Sequence, residues 1–205
     1  MTALWDFVFG NRNPVEVEIG PGTGTFLLAA AARDPQVNFL GIEHSHSRAA
    51  RLAATLETHA LPNARVIAAD AACVLAGLVP GGSVAAYHIY FPDPWWKRRH
   101  FRRRLLTPAL AATLAHTLAD GGHIYVATDV PDVFALALQT LGNHRDLAHH
   151  ADPTPPRPSV TAFERKGLAR GATITEATFV KRAAPATALR YTSNAAPITP
   201  AESPS

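Results

Sequence analysis

The sequence contains little of what disulfides, metal centres and membrane spans require. Cys73 is the single cysteine, so no disulfide can form within the chain, and we expect its side chain to be small and buried. The ten histidines are not spaced as metal ligands and no cysteine cluster accompanies them, so we expect no metal. No apolar run is long enough to span a membrane, and residues 1–30 show no signal-peptide pattern. We therefore expect no membrane partner and a cytoplasmic location.

Acidic residues are absent from one long stretch, and this absence concentrates the positive charge. The net charge is only +3, yet no Asp or Glu occurs between Pro94 and Ala119, and six Lys/Arg fall within residues 97–104. Clustered positive charge favours a polyanionic partner such as RNA more strongly than a high isoelectric point does. A solvated helix start without a partner is the alternative interpretation.

The length and composition indicate one globular domain. The 205 residues are 47% hydrophobic and 17% charged, which supplies enough apolar material for a sizeable core. We assign residues 1–182 to this domain. Residues 183–205 are rich in Ala, Pro, Ser and Thr, and we expect them to form a flexible tail.

Short apolar segments alternate with helical ones along most of the chain. Strands are predicted over residues 15–19, 37–42, 64–69, 84–91, 123–127 and 173–182. Helices are predicted over residues 25–33, 47–59, 105–118 and 133–141, with a short one after residue 70. This alternation is typical of parallel βαβ units and predicts an α/β fold with a doubly wound sheet.

Acidic residues stand at or just beyond the carboxyl ends of five predicted strands. They are Glu18, Glu43, Asp70, Asp93 and Asp129. In an open α/β sheet, ligands bind in the crevice outside these strand ends, so the five acids mark a candidate site. Asp129 is equally well explained as the cap of the following helix. Glu16, on the first strand, is expected to face solvent or a partner.

The first strand runs into a glycine loop, Glu18-Ile19-Gly20-Pro21-Gly22-Thr23-Gly24. An acid at the head of the loop would repel a pyrophosphate and suits a cationic ligand such as S-adenosylmethionine. Glu43 is then placed to accept both hydroxyls of a ribose, and Asp70 to accept from an adenine amino group. An ordinary tight turn is the alternative for the loop taken alone.

Asp93 lies between Pro92 and Pro94, and Trp95 and Trp96 follow it. The prolines bias Asp93 toward an extended conformation and so fix its carboxylate at the end of the fourth strand. Trp96 is a candidate for stacking on an exposed base, whereas Trp95 is better explained as a wall of the crevice.

With these motifs in place, the chain resembles the tRNA (guanine-N7)-methyltransferases from about Asn11 to Arg182. The resemblance rests on the following segments: the glycine loop, Gly41-Ile42-Glu43, Asp70-Ala71, Phe91-Pro92-Asp93-Pro94-Trp95, Lys97, Arg99-His100, Arg103-Arg104-Leu105, Thr128-Asp129 and Thr161-Ala162-Phe163-Glu164-Arg165-Lys166-Gly167. The glycine loop is shared with many methyltransferases, but the proline-flanked Asp93 with the basic run is highly specific.

The resemblance implies a Rossmann-like methyltransferase fold, with a mostly parallel sheet of seven strands and helices on both faces. It implies S-adenosylmethionine as cofactor, tRNA as partner, and methyl transfer to N7 of a guanine in the tRNA variable loop. Asp93 becomes the catalytic candidate. The implied cofactor-binding residues are Glu18, Gly20, Gly22, Gly24, Glu43, Asp70, Ala71 and Asp93. The implied RNA-binding residues are Lys97, Arg99, His100, Phe101, Arg102, Arg103, Arg104, Asp129, Thr161, Ala162, Phe163 and Glu164.

Guanine N7 carries a lone pair and no proton, so methyl transfer to it requires no base. We therefore interpret Asp93 as a carboxylate that orients the guanine and stabilises its developing positive charge. Two alternatives stay open: a different S-adenosylmethionine-dependent target, and a non-catalytic RNA-binding protein that retains the fold. Thr161 and Glu164 could also form only a local turn. The expected oligomeric state is a monomer or a homodimer.

Overall fold

One mixed sheet with helices on both faces makes up the computed structural model, which describes residues 3–94, 105–150 and 161–183. The strands are β1 Val15–Ile19, β2 Asn38–Glu43, β3 Ala64–Ala68, β4 Val84–Tyr90, β5 Leu118–Thr128, β6 Leu147–His150 and β7 Thr175–Lys181. The helices within these ranges are α1 Ala3–Phe9, α2 Thr25–Arg33, α3 His46–Thr58, α4 Ala71–Gly77, α5 Pro108–Thr117, α6 Pro131–Gly142 and α7 Ala162–Leu168.

The strand order is β3-β2-β1-β4-β5-β7-β6. Strands β1 to β5 pair in parallel, and β7 runs antiparallel to both of its neighbours, β5 and β6. The chain order reverses between β1 and β4, which is where a doubly wound sheet opens a crevice for ligands. The predicted fold class is therefore confirmed, including the seven strands.

The two faces of the sheet differ in chemistry because side chains alternate along each strand. Val17 on β1 and Tyr87 and Ile89 on β4 belong to a large apolar core that includes buried residues of α1, α4, α5 and α6. The opposite face lies under α2 and α3, whose Phe26 and Leu52 belong to a second, smaller core. The polar residues of β1 and β4 lie on this second side, together with the glycine loop.

Strand β5 is longer than predicted, and its start is irregular. Asp120-Gly121-Gly122 was expected to separate a helix from a strand, yet these residues lie inside β5. Gly121 has a left-handed φ of 73°, and the pairing register with β4 shifts between Val84 and Ala86. At Gly122 a Cβ would lie 2.8 Å from the carbonyl oxygens of Ala119 and Ala85. The glycines thus let the strand bend without ending it.

Three further features differ from the sequence prediction. Helix α1 and strand β6 were not predicted at all, because both are short and β6 is half polar. Cys73 was expected to be buried and is exposed, since the buried side of α4 carries Ala71 and Leu75. Residues 184–205 of the expected tail lie outside the described residues.

In the ranges that the structure describes, no helix is long and apolar enough to cross a membrane. Within the same ranges, no three His, Cys, Asp or Glu side chains converge as a metal site requires.

Candidate functional site

The glycine loop joins β1 to α2 at the carboxyl end of the sheet. Gly20, Gly22 and Gly24 have φ angles of 76°, 57° and 76°, a left-handed conformation that favours glycine. At Gly24 a Cβ would collide with the buried Leu52 side chain of α3, whereas at Gly20 it would meet nothing within 4 Å. The loop is therefore packed tightly at one end and leaves free space at the other.

Glu43, the last residue of β2, is buried, and both of its carboxylate oxygens accept hydrogen bonds. Its Oε2 accepts from the Gly22 N–H at 3.1 Å, and its Oε1 accepts from the Ser45 N–H at 2.8 Å. The Arg48 guanidinium donates to Oε1 as well, at 3.1 Å from Nε. Oε1 thus accepts two hydrogen bonds and Oε2 accepts one, so the remaining lone pair of Oε2 leaves Glu43 able to accept from a ligand hydroxyl.

Glu18 is the most perturbed acid of the described residues. It is 4% exposed, and its Oε2 has no hydrogen-bond partner. Burial raises the pKa of Glu18 to about 8; the Leu27 backbone N–H lowers this pKa and the nearby Glu43 carboxylate raises it. An unpaired buried carboxylate is costly, so a positively charged ligand group would stabilise it.

A groove opens beside Glu18, and we call it the Glu18 groove. Its walls come from four elements: Gly20 and Thr23 from the glycine loop, Phe26 from α2, Tyr90 and Phe91 from the end of β4, and Thr161 from the start of α7. Glu18 and Thr161 are far apart in the sequence, and the sheet edge brings them together. Thr161 of the predicted substrate segment thus lines the same groove as Glu18 and Gly20 of the predicted cofactor set.

Asp93 lines a second, neighbouring groove, the Asp93 groove. Its other walls are Pro92, Pro94, Leu105 and Leu106, together with Asp132, Val133 and Leu136 of α6. Asp93 is exposed, as a residue that meets an incoming substrate must be. Phe91, two residues earlier, has a left-handed φ of 51° and donates its N–H to the Ala127 carbonyl at 2.8 Å. This uncommon conformation turns the chain from the Glu18 groove into the Asp93 groove.

Asp70 and Ala71 lie at the start of α4 and line neither groove. Asp70 is exposed and caps α4, since its Oδ1 accepts from the Cys73 N–H at 3.0 Å. Ala71 is buried. The cap leaves Oδ2 of Asp70 toward solvent at the end of β3, where an adenine amino group was expected to bind.

Helix α7 closes against the end of β5. Thr161 and Glu164 form a capping box, with the Glu164 N–H donating to Thr161 Oγ1 at 3.1 Å and the Thr161 N–H donating to Glu164 Oε2 at 3.2 Å. A Cβ on Gly167 would lie 3.2 Å from Asp129 Oδ2. Asp129 therefore packs against α7 and does not cap α6, whose N-cap is Val130 without a side-chain bond. Ala162 and Phe163 contribute backbone to the first turn of α7.

The predicted RNA-binding residues of the basic run have no structural description. Lys97, Arg99, His100, Phe101, Arg102, Arg103 and Arg104 lie outside the described residues, as do Trp95 and Trp96. Their roles stay predictions.

A buried polar network beside the Glu18 groove was missed by the sequence analysis. His88 on β4 is fully buried; its Nε2 lies 2.8 Å from Glu16 Oε2 and its Nδ1 lies 2.9 Å from the Tyr90 hydroxyl. Glu16 was expected to face solvent or a partner, and in the structure its carboxylate contacts the buried His88. The alternation Val15-Glu16-Val17-Glu18-Ile19, which puts two acids on one face of a buried strand, was the available signal.

Known proteins similar to this chain are methyltransferases. A family model described as "Putative methyltransferase" matches residues 12–177. A tRNA (guanine-N(7)-)-methyltransferase of Nitrosomonas eutropha is 36% identical over 181 residues, which cover 87% of this chain and 81% of the relative. One of Burkholderia ambifaria is 39% identical over 182 residues, covering 87% of this chain and 71% of the relative.

Among solved structures, the crystal structure of the 16S rRNA methyltransferase KamB matches with a TM-score of 0.62 at 17% identity. The match covers 89% of this chain and 94% of that one, and it shows the shared fold. The fold, the glycine loop with its buried acid, and relatives at this level of identity lead to one conclusion: the chain belongs to the tRNA (guanine-N7)-methyltransferase family.

Proposed function

We infer that the protein is an enzyme that transfers a methyl group from S-adenosylmethionine to N7 of a guanine in tRNA. Relatives of this activity cover most of the chain at 36–40% identity. Within the site, the observation that carries the inference is the buried Glu18, whose Oε2 has no hydrogen-bond partner and which lines a groove together with Gly20.

The residues of the Glu18 groove fit S-adenosylmethionine. When bound, this cofactor supplies a methyl group that its sulfonium charge has already activated. Glu18 would accept from the ammonium of its amino-acid part, which is the charge that this buried oxygen lacks. Gly20, Gly22 and Gly24 allow the backbone to pass close to the ligand, and Glu43 would accept from a ribose hydroxyl with the remaining lone pair of Oε2. Asp70 and Ala71 would contact the adenine from the next strand end.

Asp93 is proposed as the residue that selects and orients the guanine. Its carboxylate can accept from guanine N1–H and from the exocyclic amine, which adenine cannot offer in the same pattern. Negative charge beside the ring also stabilises the positive charge that the purine gains on methylation. The left-handed Phe91 and the flanking prolines would hold the carboxylate in the Asp93 groove, so positioning and electrostatics would replace general-base chemistry.

The tRNA would extend from the Asp93 groove over α7 and the basic run. Thr161 and Glu164 lie at the start of α7, where Thr161 lines the Glu18 groove, and Asp129 lies against Gly167 near the end of the same helix. We assign substrate contacts to these residues, to Ala162 and Phe163, and to Lys97. Arg99, His100, Phe101, Arg102, Arg103 and Arg104 would bind phosphates or bases through charge-assisted contacts and stacking. We further expect a cytosolic location and either a monomer or a homodimer.

The direct test is transfer of a labelled methyl group into bulk tRNA, followed by nucleoside analysis of the product. The expected product is 7-methylguanosine, and any other methylated nucleoside would overturn the assignment. Asp93→Ala and the isosteric Asp93→Asn should each lower kcat by at least about a hundredfold while the protein stays folded. Glu57→Gln, which neutralises an exposed acid on α3, is the matched control and should keep full activity.

A further inference from the structure

The tyrosine in the wall of the Glu18 groove is fixed from behind by a buried histidine and a glutamate. Tyr90 lines this groove and is the last residue of β4. Its hydroxyl bonds to Nδ1 of His88 and the opposite ring nitrogen bonds to Glu16. We call these three residues the His88 network. His88 is the only fully buried ionisable side chain on this face of β4, and nothing in the methyl-transfer chemistry requires it.

The directions of the two hydrogen bonds follow from the chemistry of the groups. An ionised Glu16 carboxylate only accepts, so Nε2 of His88 carries the proton that it donates to Glu16. In the neutral imidazole the other nitrogen then accepts, so the Tyr90 hydroxyl donates to Nδ1. The network thus defines one tautomer of His88 and one orientation of the Tyr90 hydroxyl.

Aromatic contacts tie the same residues to the glycine-loop helix. Phe26, on α2, packs on the His88 ring at 4.4 Å and meets the Tyr90 ring edge-on at 5.0 Å. Tyr125 of β5 stacks on His88 from the other strand, with ring centroids 5.3 Å apart. Phe26 also lines the groove, so the network fixes the distance between the glycine-loop side and the β4 side.

We propose that the His88 network is a positioning device for the cofactor pocket, in which Glu16 and His88 hold the Tyr90 ring in place against the bound methyl donor. The inference rests on the proposed cofactor site in the Glu18 groove. It assigns a role to Glu16 and His88, which touch no ligand themselves, and it makes Tyr90 a wall residue whose position is set by its hydroxyl. The same bond anchors the start of the Phe91 turn that leads to Asp93.

Substitutions at position 88 separate the two bonds of the network. A glutamine reaches the position of Nε2 and keeps the bond to Glu16 but loses the acceptor for Tyr90, whereas an asparagine places its oxygen near Nδ1 and keeps that acceptor. We expect His88→Gln and Tyr90→Phe each to weaken S-adenosylhomocysteine binding by about three- to tenfold, and His88→Asn to weaken it less. Because His88→Gln and Tyr90→Phe remove the same hydrogen bond, the variant that combines them should bind S-adenosylhomocysteine no more weakly than either single variant.

Tyr87→Phe is the matched control, because it removes a buried tyrosine hydrogen bond from the same strand. The Tyr87 hydroxyl bonds to Thr117 Oγ1 at 2.6 Å on the opposite face of the sheet, far from the groove. This variant should lower the melting temperature and leave ligand affinity unchanged, whereas Tyr90→Phe should change affinity.

The experiment is calorimetric titration of each variant with S-adenosylhomocysteine, with thermal unfolding measured in parallel. Steady-state kinetics then gives both kcat and the KM for S-adenosylmethionine of each variant. Affinity of Tyr90→Phe within twofold of the unmodified protein, or an equal loss in Tyr87→Phe, would overturn the positioning role while the proposed function stands. An unmodified protein that binds no S-adenosylhomocysteine would overturn both. A rise in KM with little change in kcat is the expected signature of the network.

Discussion

Glu43 at the end of β2 accepts a hydrogen bond from the backbone N–H of Gly22 across 3.1 Å. The second strand therefore holds the loop that follows the first, and the loop geometry does not depend on glycine conformation alone. Arg48, at the start of α3, neutralises the buried carboxylate at 3.0 Å. A pre-ordered loop loses little conformational freedom when a ligand arrives, which favours tight binding.

Gly20 and Gly24 provide a matched pair for testing the loop. Both have left-handed φ angles, so alanine at either site costs about 1–2 kcal/mol of unfolding free energy. At Gly24 the added Cβ also collides with buried Leu52, which adds about 1–3 kcal/mol. We expect Gly24→Ala to unfold at a clearly lower denaturant concentration. Gly20→Ala should fold but lose S-adenosylhomocysteine affinity, because its Cβ enters the free space. Equal stabilities would contradict the contact with α3.

The raised pKa of Glu18 makes stability depend on pH. The folded protein keeps a proton on Glu18 up to a pKa of about 8, whereas the unfolded chain releases it near 4.5. In this interval the folded state binds more protons, so the stability of the protein falls as pH rises from about 4.5 to 8, by an amount on the order of a few kcal/mol.

Glu18→Gln removes this titration, so its stability should vary less over the same interval. The variant should therefore gain stability relative to the unmodified protein as pH rises, which denaturant unfolding at pH 5, 6.5 and 8 would measure. Saturating S-adenosylhomocysteine should lower the pKa of Glu18 and shrink this pH dependence in the unmodified protein only. A constant difference between the two proteins across pH would show that Glu18 ionises normally.

The closeness of Gly167 to Asp129 predicts that one substitution can weaken substrate binding without changing the stability of the protein. Alanine at Gly167 suits the helix but brings its Cβ to 3.2 Å from Asp129 Oδ2, so the carboxylate must shift by a few tenths of an ångström. We expect Gly167→Ala to keep its melting temperature and to raise KM for tRNA by about three- to tenfold.

Gly142→Ala, at the end of α6, is the control for this prediction, since its Cβ would make an ordinary 3.7 Å contact with Phe179 of β7. It should leave KM for tRNA unchanged. If Gly167→Ala also left KM unchanged, Asp129 would not be a substrate contact.

The basic run predicts a strong salt dependence of tRNA binding. Each Lys or Arg that neutralises a phosphate contributes about −0.7 to −0.9 to the slope of log K against log salt concentration. Arg103→Ala should therefore reduce this slope by roughly that amount, in filter-binding or anisotropy titrations at several salt concentrations. Arg51→Ala, on the exposed side of α3, removes the same charge elsewhere and should leave the slope unchanged. Binding that is insensitive to salt would exclude a phosphate-binding role.

Local rules were sufficient for the first half of the sheet. β1 and α2 have the bounds that were predicted, because a buried alternating strand, three glycines and an alanine-rich helix follow one another without ambiguity. The acids at the strand ends were found for the same reason, since parallel strands place their carboxyl ends at one edge.

Long-range contacts explain what the sequence prediction missed. β6 has only four residues and becomes a strand by pairing with β7. Gly121-Gly122 is a typical turn sequence, and only the pairing of β5 with β4 shows that the strand bends there without ending. The partner of Glu16 is a histidine 72 positions away, and such a pair carries no local signal. The groove that Glu18 shares with Thr161 likewise depends on how α7 packs against the sheet, which spacing along the chain does not specify.

The position of β7 between β5 and β6 sets an order for folding during synthesis. β6 leaves the ribosome before β7 does, yet every pairing of β6 in the described sheet is with β7. The parallel strands that carry Glu18, Glu43 and Asp93 can pair as they emerge, whereas β6 must wait for a later segment to be inserted beside β5. A nascent chain stalled before Thr175 would thus hold the parallel strands beside the Glu18 groove and an unfinished sheet edge, exposed to association with neighbouring chains.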